Sequence, residues 1–294
     1  MTFEKLVQSL NFDTGDADIL NNTDENIEKS FPGIYEKLAQ SYLLGIDACV
    51  LLIRSSALEV GIHEELLGLW FMLRLSLSRM YPEYKKRGIS DEYFIAAVAN
   101  SRRYANASRD FTGKFGIIID RYVRALSNLV ELRAFRVGDF NFEFIEIDRN
   151  IEVFGESIKP GDVCLSVHIP INTDISDANV DKNFLMAKDF FKAHFGMEKP
   201  FCQLYSWLIH PSIEECLPED SKLVKFYKRF FIYEVKNAPI SPIEYVFGMK
   251  YAEDYERENE SVKSFPENTS LQRKFKERLI KGLPIGCAKG MTLL

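Results

Sequence analysis

Near residue 133 the spacing of apolar residues changes, and no other feature of the 294-residue chain constrains its fold as much. Before that point hydrophobic side chains recur every three to four residues, the pattern of helices that bury one face. After it they alternate, the pattern of strands. In F-R-V-G-D-F-N-F-E-F-I-E (135–146), Phe140, Phe142 and Phe144 face one way, and Asn141, Glu143 and Ile145 face the other. Val137-Gly138-Asp139 supplies turn chemistry between two strands. The expected architecture is α+β, with a helical N-terminal domain over residues 1–130 and a mixed sheet flanked by helices over 131–294.

Within the helical half, Thr2 to Leu10 forms a short amphipathic helix, and the Asp/Asn/Thr/Gly-rich stretch Asn11 to Asn26 is expected as a loop. Pro32 to about Leu58 is expected as one helix closed by Gly61. Glu64 to Met80 gives another, its end bracketed by Pro82 and Gly88. Ser90-Asp91-Glu92 caps a helix to about Asn106, and Gly113 to about Leu132 is the last. His63, before the third helix, is expected as a surface or capping residue.

In the second half Pro160-Gly161 is a turn, and Asp162 to Ile169 a strand. Ser176 caps a helix to Phe195, and Phe201 to Ile209 is a buried strand stopped by His210-Pro211. Helix Asp220–Lys228 and strand Phe230–Val235 follow. The acidic run Glu253 to Glu260 is expected in a surface loop, Asn268 to Lys281 as a helix, and Ile285 to Leu294 as a last strand. Strand, polar loop and helix start, from Phe201 to Arg229, is the arrangement in which α/β proteins place ligands.

Composition narrows the function classes. A formal charge of −6 and a pI near 5.5 argue against nucleic acid or an acidic membrane as partner. The N-terminus lacks the basic-then-apolar order of a signal peptide. The most apolar stretch, Tyr42 to Ile53, contains Asp47 and is too short to span a bilayer. The five cysteines are scattered without a C-x-x-C pair. They are expected as buried free thiols in a reducing cytoplasm, with neither a disulfide framework nor a metal site.

Among titratable residues His168 stands out, at the C-terminal end of its strand and before Pro170. An imidazole there suits a general base near neutral pH, although one hydrogen-bonded into the sheet edge is the plainer role. His210 ends the neighbouring strand and is expected at the same edge. Ser206 lacks the G-x-S-x-G context of a hydrolase nucleophile. Glu219 and Asp220 form a carboxylate pair that could hold an amine or act as base, or simply favour a helix start. Trp207 and Tyr205 fill the core or line a substrate slot.

Five stretches carry a resemblance: F-R-V-G-D-F-N-F-E (135–143), V-H-I-P (167–170), C-Q-L-Y-S-W-L-I-H-P (202–211), L-P-E-D-S-K-L-V-K-F (217–226) and F-P-E-N-T-S-L-Q-R (265–273). Together they resemble a bacterial family of predicted acyltransferases with a helical N-acyltransferase N-terminal domain and a GNAT-like C-terminal domain. The resemblance implies an acyl-CoA-dependent N-acyltransferase with acyl-CoA as co-substrate and a small-molecule or peptide amine as acceptor. It implies a donor held where two strands splay apart, its pyrophosphate on the N–H groups of the next helix start. On this sequence the catalytic candidates are His168 and Glu219. The donor-binding candidates are Ile169, Asn172, Thr173 and Ser176. The substrate-cleft candidates are Ser206, Trp207, His210 and Asp220. The loop I-P-I-N-T-D-I-S-D-A-N (169–179) differs from the usual glycine-rich phosphate loop: it has no glycine, and it carries Asp174 and Asp177. Acidic side chains repel a diphosphate unless they point away as caps. The alternative is therefore a non-catalytic binding or sensing module on the same fold, in which side chains fill the gap between the two strands.

Overall fold

Capping chemistry and tertiary ion pairs set the element boundaries in the first half of the chain. The structure, a computed structural model, describes residues 1–170 and 173–294 and divides into two units, Met1–Arg136 and Val137–Leu294. The first unit contains helices α1 (Phe3–Ser9), α2 (Thr14–Ser30), α3 (Ile34–Leu44), α4 (Ile46–Val60) and α5 (Glu64–Leu75). A π-helical turn, Ser76–Met80, leads into α6 (Tyr81–Lys86), followed by α7 (Asp91–Val98), α8 (Asn100–Thr112) and α9 (Ile119–Val130). His63 caps α5, its Nδ1 accepting the Leu66 N–H at 3.2 Å. Leu67, Leu69, Phe71, Leu73 and Leu75 of α5 are all buried, so this helix is apolar on every side and forms the centre of the unit.

The helix expected over 90–106 breaks at Ala99 and the one expected from Gly113 starts at Ile119, and three further expectations fail for physical reasons. The stretch from Asn11 to Asn26 is largely helix, not loop. In α2 the turn-forming residues lie mostly on the outer face, while Leu20 and Ile27 are buried and two aspartates meet cations. Asp16 receives Arg109 Nη2 at 2.6 Å, and Asp24 receives the Trp70 indole N–H at 2.8 Å and the Arg74 guanidinium. Tertiary contacts here override weak local propensity. The long helix expected over 32–58 is split at Gly45, whose φ of 134° leaves helical space. Pro82 does not stop the chain of helices, because it falls in the first turn of α6, where a missing N–H is tolerated.

After β1 (Ala134–Val137), which spans the division between the units, the second unit is built on strands β2 (Phe140–Glu146), β3 (Ile151–Val153), β4 (Glu156–Ile158), β5 (Val163–His168), β6 (Phe201–Ser206), β7 (Phe231–Lys236) and β8 (Cys287–Leu293). With β1 included, six strands form a mixed sheet in the order β1-β2-β5-β6-β8-β7, and β3 with β4 makes a separate hairpin. β5 and β6 are parallel, joined by α10 (Asp177–Phe195), as a parallel pair requires a crossover. The alternation in β2 positions that helix: Phe140 meets Phe184 and Phe142 meets Phe191, with ring centroids 6.0 and 5.7 Å apart. At the β1–β2 turn Gly138 has φ +60°, and an added Cβ would lie 2.0 Å from Asn183 Oδ1. That oxygen instead accepts the Asp139 N–H at 2.6 Å.

Helices α11 (Ser212–Cys216), α12 (Lys222–Tyr227), α13 (Ile240–Phe247), α14 (Met249–Arg257) and α15 (Ser270–Ile280) share a core that includes Ile213, Val224, Ile243, Phe265 and Phe275. The strand expected to Ile209 ends at Ser206. Its hydroxyl accepts the Leu208 N–H at 3.2 Å and turns residues 207–209 into a 3-10 helix. The acidic run is not a loop: Glu253 to Arg257 completes α14 and a 3-10 turn follows. Ala252 and Val262 are buried there while most of the charges remain outside. Among the described residues no helix is long and apolar enough to cross a membrane.

Candidate functional site

The site begins where the sheet opens. β5 and β6 are paired only at Leu165 with Cys202 and Ser166 with Gln203. Beyond those residues each strand keeps its outer partner: β5 stays on β2 as far as His168, and β6 stays on β8 as far as Ser206. The gap therefore interrupts one ladder while leaving the strands themselves regular, and the backbone groups facing it need other partners. A cleft of about 670 Å³ occupies it, wholly within the second unit. Val167, His168, Ile169 and Thr173 line one side, Leu204 to Leu208 the middle, and Ser241, Glu244, Tyr245 and Cys287 the far side.

His168 is exposed on the rim, and its Nε2 lies 3.1 Å from Glu143 Oε2. The register explains the contact. Asn141 is opposite His168, and Glu143 is two residues along the same face of β2, a diagonal pair within reach of long side chains. Sequence patterning placed Glu143 on a polar face without linking it to the histidine.

The start of α10 adjoins the cleft. Ser176 is the N-cap, but its hydroxyl donates to Asp174 Oδ2 at 2.6 Å and so caps none of the helix N–H groups. Asp174 also accepts the Ser176 N–H at 3.0 Å and Lys222 Nζ at 3.2 Å. These bonds, the Ser176 hydroxyl first, hold its carboxyl below the usual carboxylate range. Asp177 is held low chiefly by Arg229 at 2.8 Å, with Lys225 at 3.9 Å. Arg229 also meets Asp181. The acidic residues of the loop are thus matched by Lys222, Lys225 and Arg229, and the repulsion expected from the sequence is largely cancelled at its source.

The other sequence candidates separate into two groups. Ile169, Thr173, Ser206 and Trp207 join His168 on the cleft wall. Asn172 lies outside the described residues. Glu219 and Asp220 are exposed in a turn before α12, whose cap is Ser221, and they do not line the cleft. Glu219 is paired with Lys228 at 2.6 Å, which lowers its pKa. His210 is buried at 3% exposure rather than lying at the strand edge. Its Nδ1 accepts the Ser212 N–H at 3.2 Å, and burial lowers its pKa. Ser241, Glu244 and Tyr245 of α13 and Cys287 of β8 were not singled out as site residues in the sequence, where no helix was expected over 240–247.

The profile of a GNAT-like C-terminal domain family matches residues 134–292, more than half of the chain. The chain belongs to this family. No curated protein matches this GNAT-like chain. Among solved structures, an acyltransferase in complex with decanoyl-CoA aligns with a TM-score of 0.63 at 17% identity, covering 98% of this chain and 86% of the other. An acyltransferase mutant in complex with octanoyl-CoA gives a TM-score of 0.64 at 19% identity, over 99% and 87%. An acyltransferase in complex with decanoyl-CoA and teicoplanin gives 0.60 at 17% identity, over the whole of both chains. At such identities the likeness is one of fold.

Proposed function

We propose that this GNAT-like protein transfers an acyl group from an acyl-coenzyme A thioester to an amine. The observation that carries the proposal is the open gap between β5 and β6, with His168 on its rim. A binding module with a gap filled by side chains is the weaker alternative for the same reason. Donors of the kind bound by the fold's solved relatives fit the arrangement: amide groups of the pantetheine arm pair with strand backbone that borders the gap. The uncapped N–H groups of α10 face the pyrophosphate.

The reaction follows from these positions. The acceptor's neutral nitrogen attacks the thioester carbonyl, and a backbone N–H of the splayed strand stabilises the developing oxyanion. His168 takes the proton that the nitrogen must lose. The C–S bond breaks as the amide forms, and the proton passes on to the departing thiolate, giving coenzyme A. Glu143 fixes the imidazole's orientation. The acceptor is a small-molecule or peptide amine. The teicoplanin bound by one relative makes an amine on a glycopeptide-sized molecule a reasonable first trial.

Two outcomes are expected. Saturating acyl-coenzyme A, at ~100 times its dissociation constant, stabilises the folded protein by about 2.7 kcal/mol and raises the melting temperature by roughly 5–10 °C. A melting curve unmoved by millimolar donor leaves the proposal without a substrate. Glu143→Gln, which keeps shape but removes charge, lowers kcat by roughly tenfold or more and leaves the donor's KM in place. An unchanged kcat in steady-state assays removes Glu143 from the mechanism.

A further inference from the structure

The cleft has a direction, and its far end is closed by aromatic rings. The sheet order β5-β6-β8 puts His168 on one side and Cys287 with α13 on the other. If the reacting thioester lies beside His168, the rest of the acyl chain must extend across β6 towards α13. Leu204, Leu208 and Ile240 contribute apolar surface along that path, beside the polar Ser206, Ser241 and Glu244. It meets Trp207, whose ring stacks on Tyr245 at 6.3 Å and 26° and lies edge-on to Phe275 at 6.3 Å and 79°.

Trp207 therefore has two sets of neighbours. It lines the cleft, and it also packs on the core shared by α11 to α15. Its position is set locally: the Ser206 hydroxyl accepts the Leu208 N–H at 3.2 Å, and the Trp207 carbonyl accepts the His210 N–H at 3.1 Å. His210 is in turn held by Ser212. A ring pinned by its own turn and wedged against a core is a fixed obstacle, not a side chain that yields to the ligand.

We propose that Trp207, backed by Tyr245, is the wall that limits the length of acyl chain this cleft accepts. The inference rests on the acyl-donor function proposed above. Each methylene buried against the apolar surface adds about fourfold in affinity until the chain reaches the rings. Chains longer than that must bend back into water or leave the cleft, and affinity falls. Truncating Trp207 leaves a hollow continuous with the cleft, because the same ring lines both.

The test is a series of saturated acyl-coenzyme A esters from acetyl to dodecanoyl, with dissociation constants measured by thermal shift and calorimetry. The wild-type protein gives affinities that rise with length to a maximum and then drop. In Trp207→Ala the maximum moves to chains at least two methylenes longer, and affinity for the longest ester rises roughly tenfold or more. Tyr245→Ala moves it in the same direction by a smaller step. Tyr245 is 56% exposed, so its removal spares the core. Should Trp207→Ala not fold, Trp207→Phe and Tyr245→Ala decide the matter. A maximum that stays at the same length in variants that bind acyl-coenzyme A overturns the wall and leaves the donor function standing, as does a wild-type series with no maximum. Absence of binding by every ester overturns both.

Discussion

Replacing His168 by alanine is expected to lower kcat by about 10²–10⁴-fold, the usual contribution of a positioned general base. That corresponds to about 3–5 kcal/mol of transition-state stabilisation. The donor's dissociation constant should hardly change, since the imidazole is on the rim and the apolar cleft beyond it is intact. Folding stability should hold too, because the side chain is 58% exposed and fills no part of the core. A second signature separates the base from a structural role. Added imidazole should restore part of the rate, because the attacking nitrogen must still lose its proton and a small base can take it; a merely structural defect would not respond. Steady-state rates with and without imidazole, donor binding and melting curves for both proteins check these points. If kcat survives the substitution, the remaining carboxylate on the cleft wall, Glu244, becomes the base to test.

The second large effect concerns stability of the helical unit. Asp24→Ala removes the acceptor of the buried Trp70 indole N–H and the main partner of Arg74. Breaking a largely buried ion pair from one side costs about 3 kcal/mol or somewhat more, because the remaining charge and donor lose their compensation. Arg74 keeps Glu28 as a partner, which places the cost near the lower end of that range. A fall of roughly 10 °C in the melting of this unit is expected. Asp24→Asn, which can still accept from Trp70, should lose less. Calorimetric unfolding of the two variants orders them: equal losses would mean that the charge carries the whole effect, and no loss in Asp24→Asn would mean that it contributes nothing.

The parts of the fold legible in the sequence are those where one local signal suffices. The Phe140, Phe142, Phe144 alternation marked a strand with one buried face, and the caps at Ser176 and Gly196 bounded α10. His168 was conspicuous as a polar group at the end of an apolar strand. What stayed hidden depends on distant residues. Nothing within Asn11–Asn26 shows that Arg109 and Arg74 will meet Asp16 and Asp24, yet those contacts help make the segment a helix. Glu143 could be matched to His168 only with the register of β2 on β5 in hand. The charge balance of the glycine-free loop was hidden for the same reason. Its aspartates look hostile to phosphate in one dimension, and the cations that answer them arrive from α12 and the residue after next.

The buried thiols carry a consequence of a different kind. The product of the proposed transfer is itself a thiol, delivered into a cleft that Cys287 lines. Thiol–disulfide exchange needs a thiolate, and burial raises the Cys287 pKa, as it does that of Cys164, pushed up to about 11. On the proposed function, the product thiol is thus released beside a sulfur whose burial disfavours disulfide exchange with it.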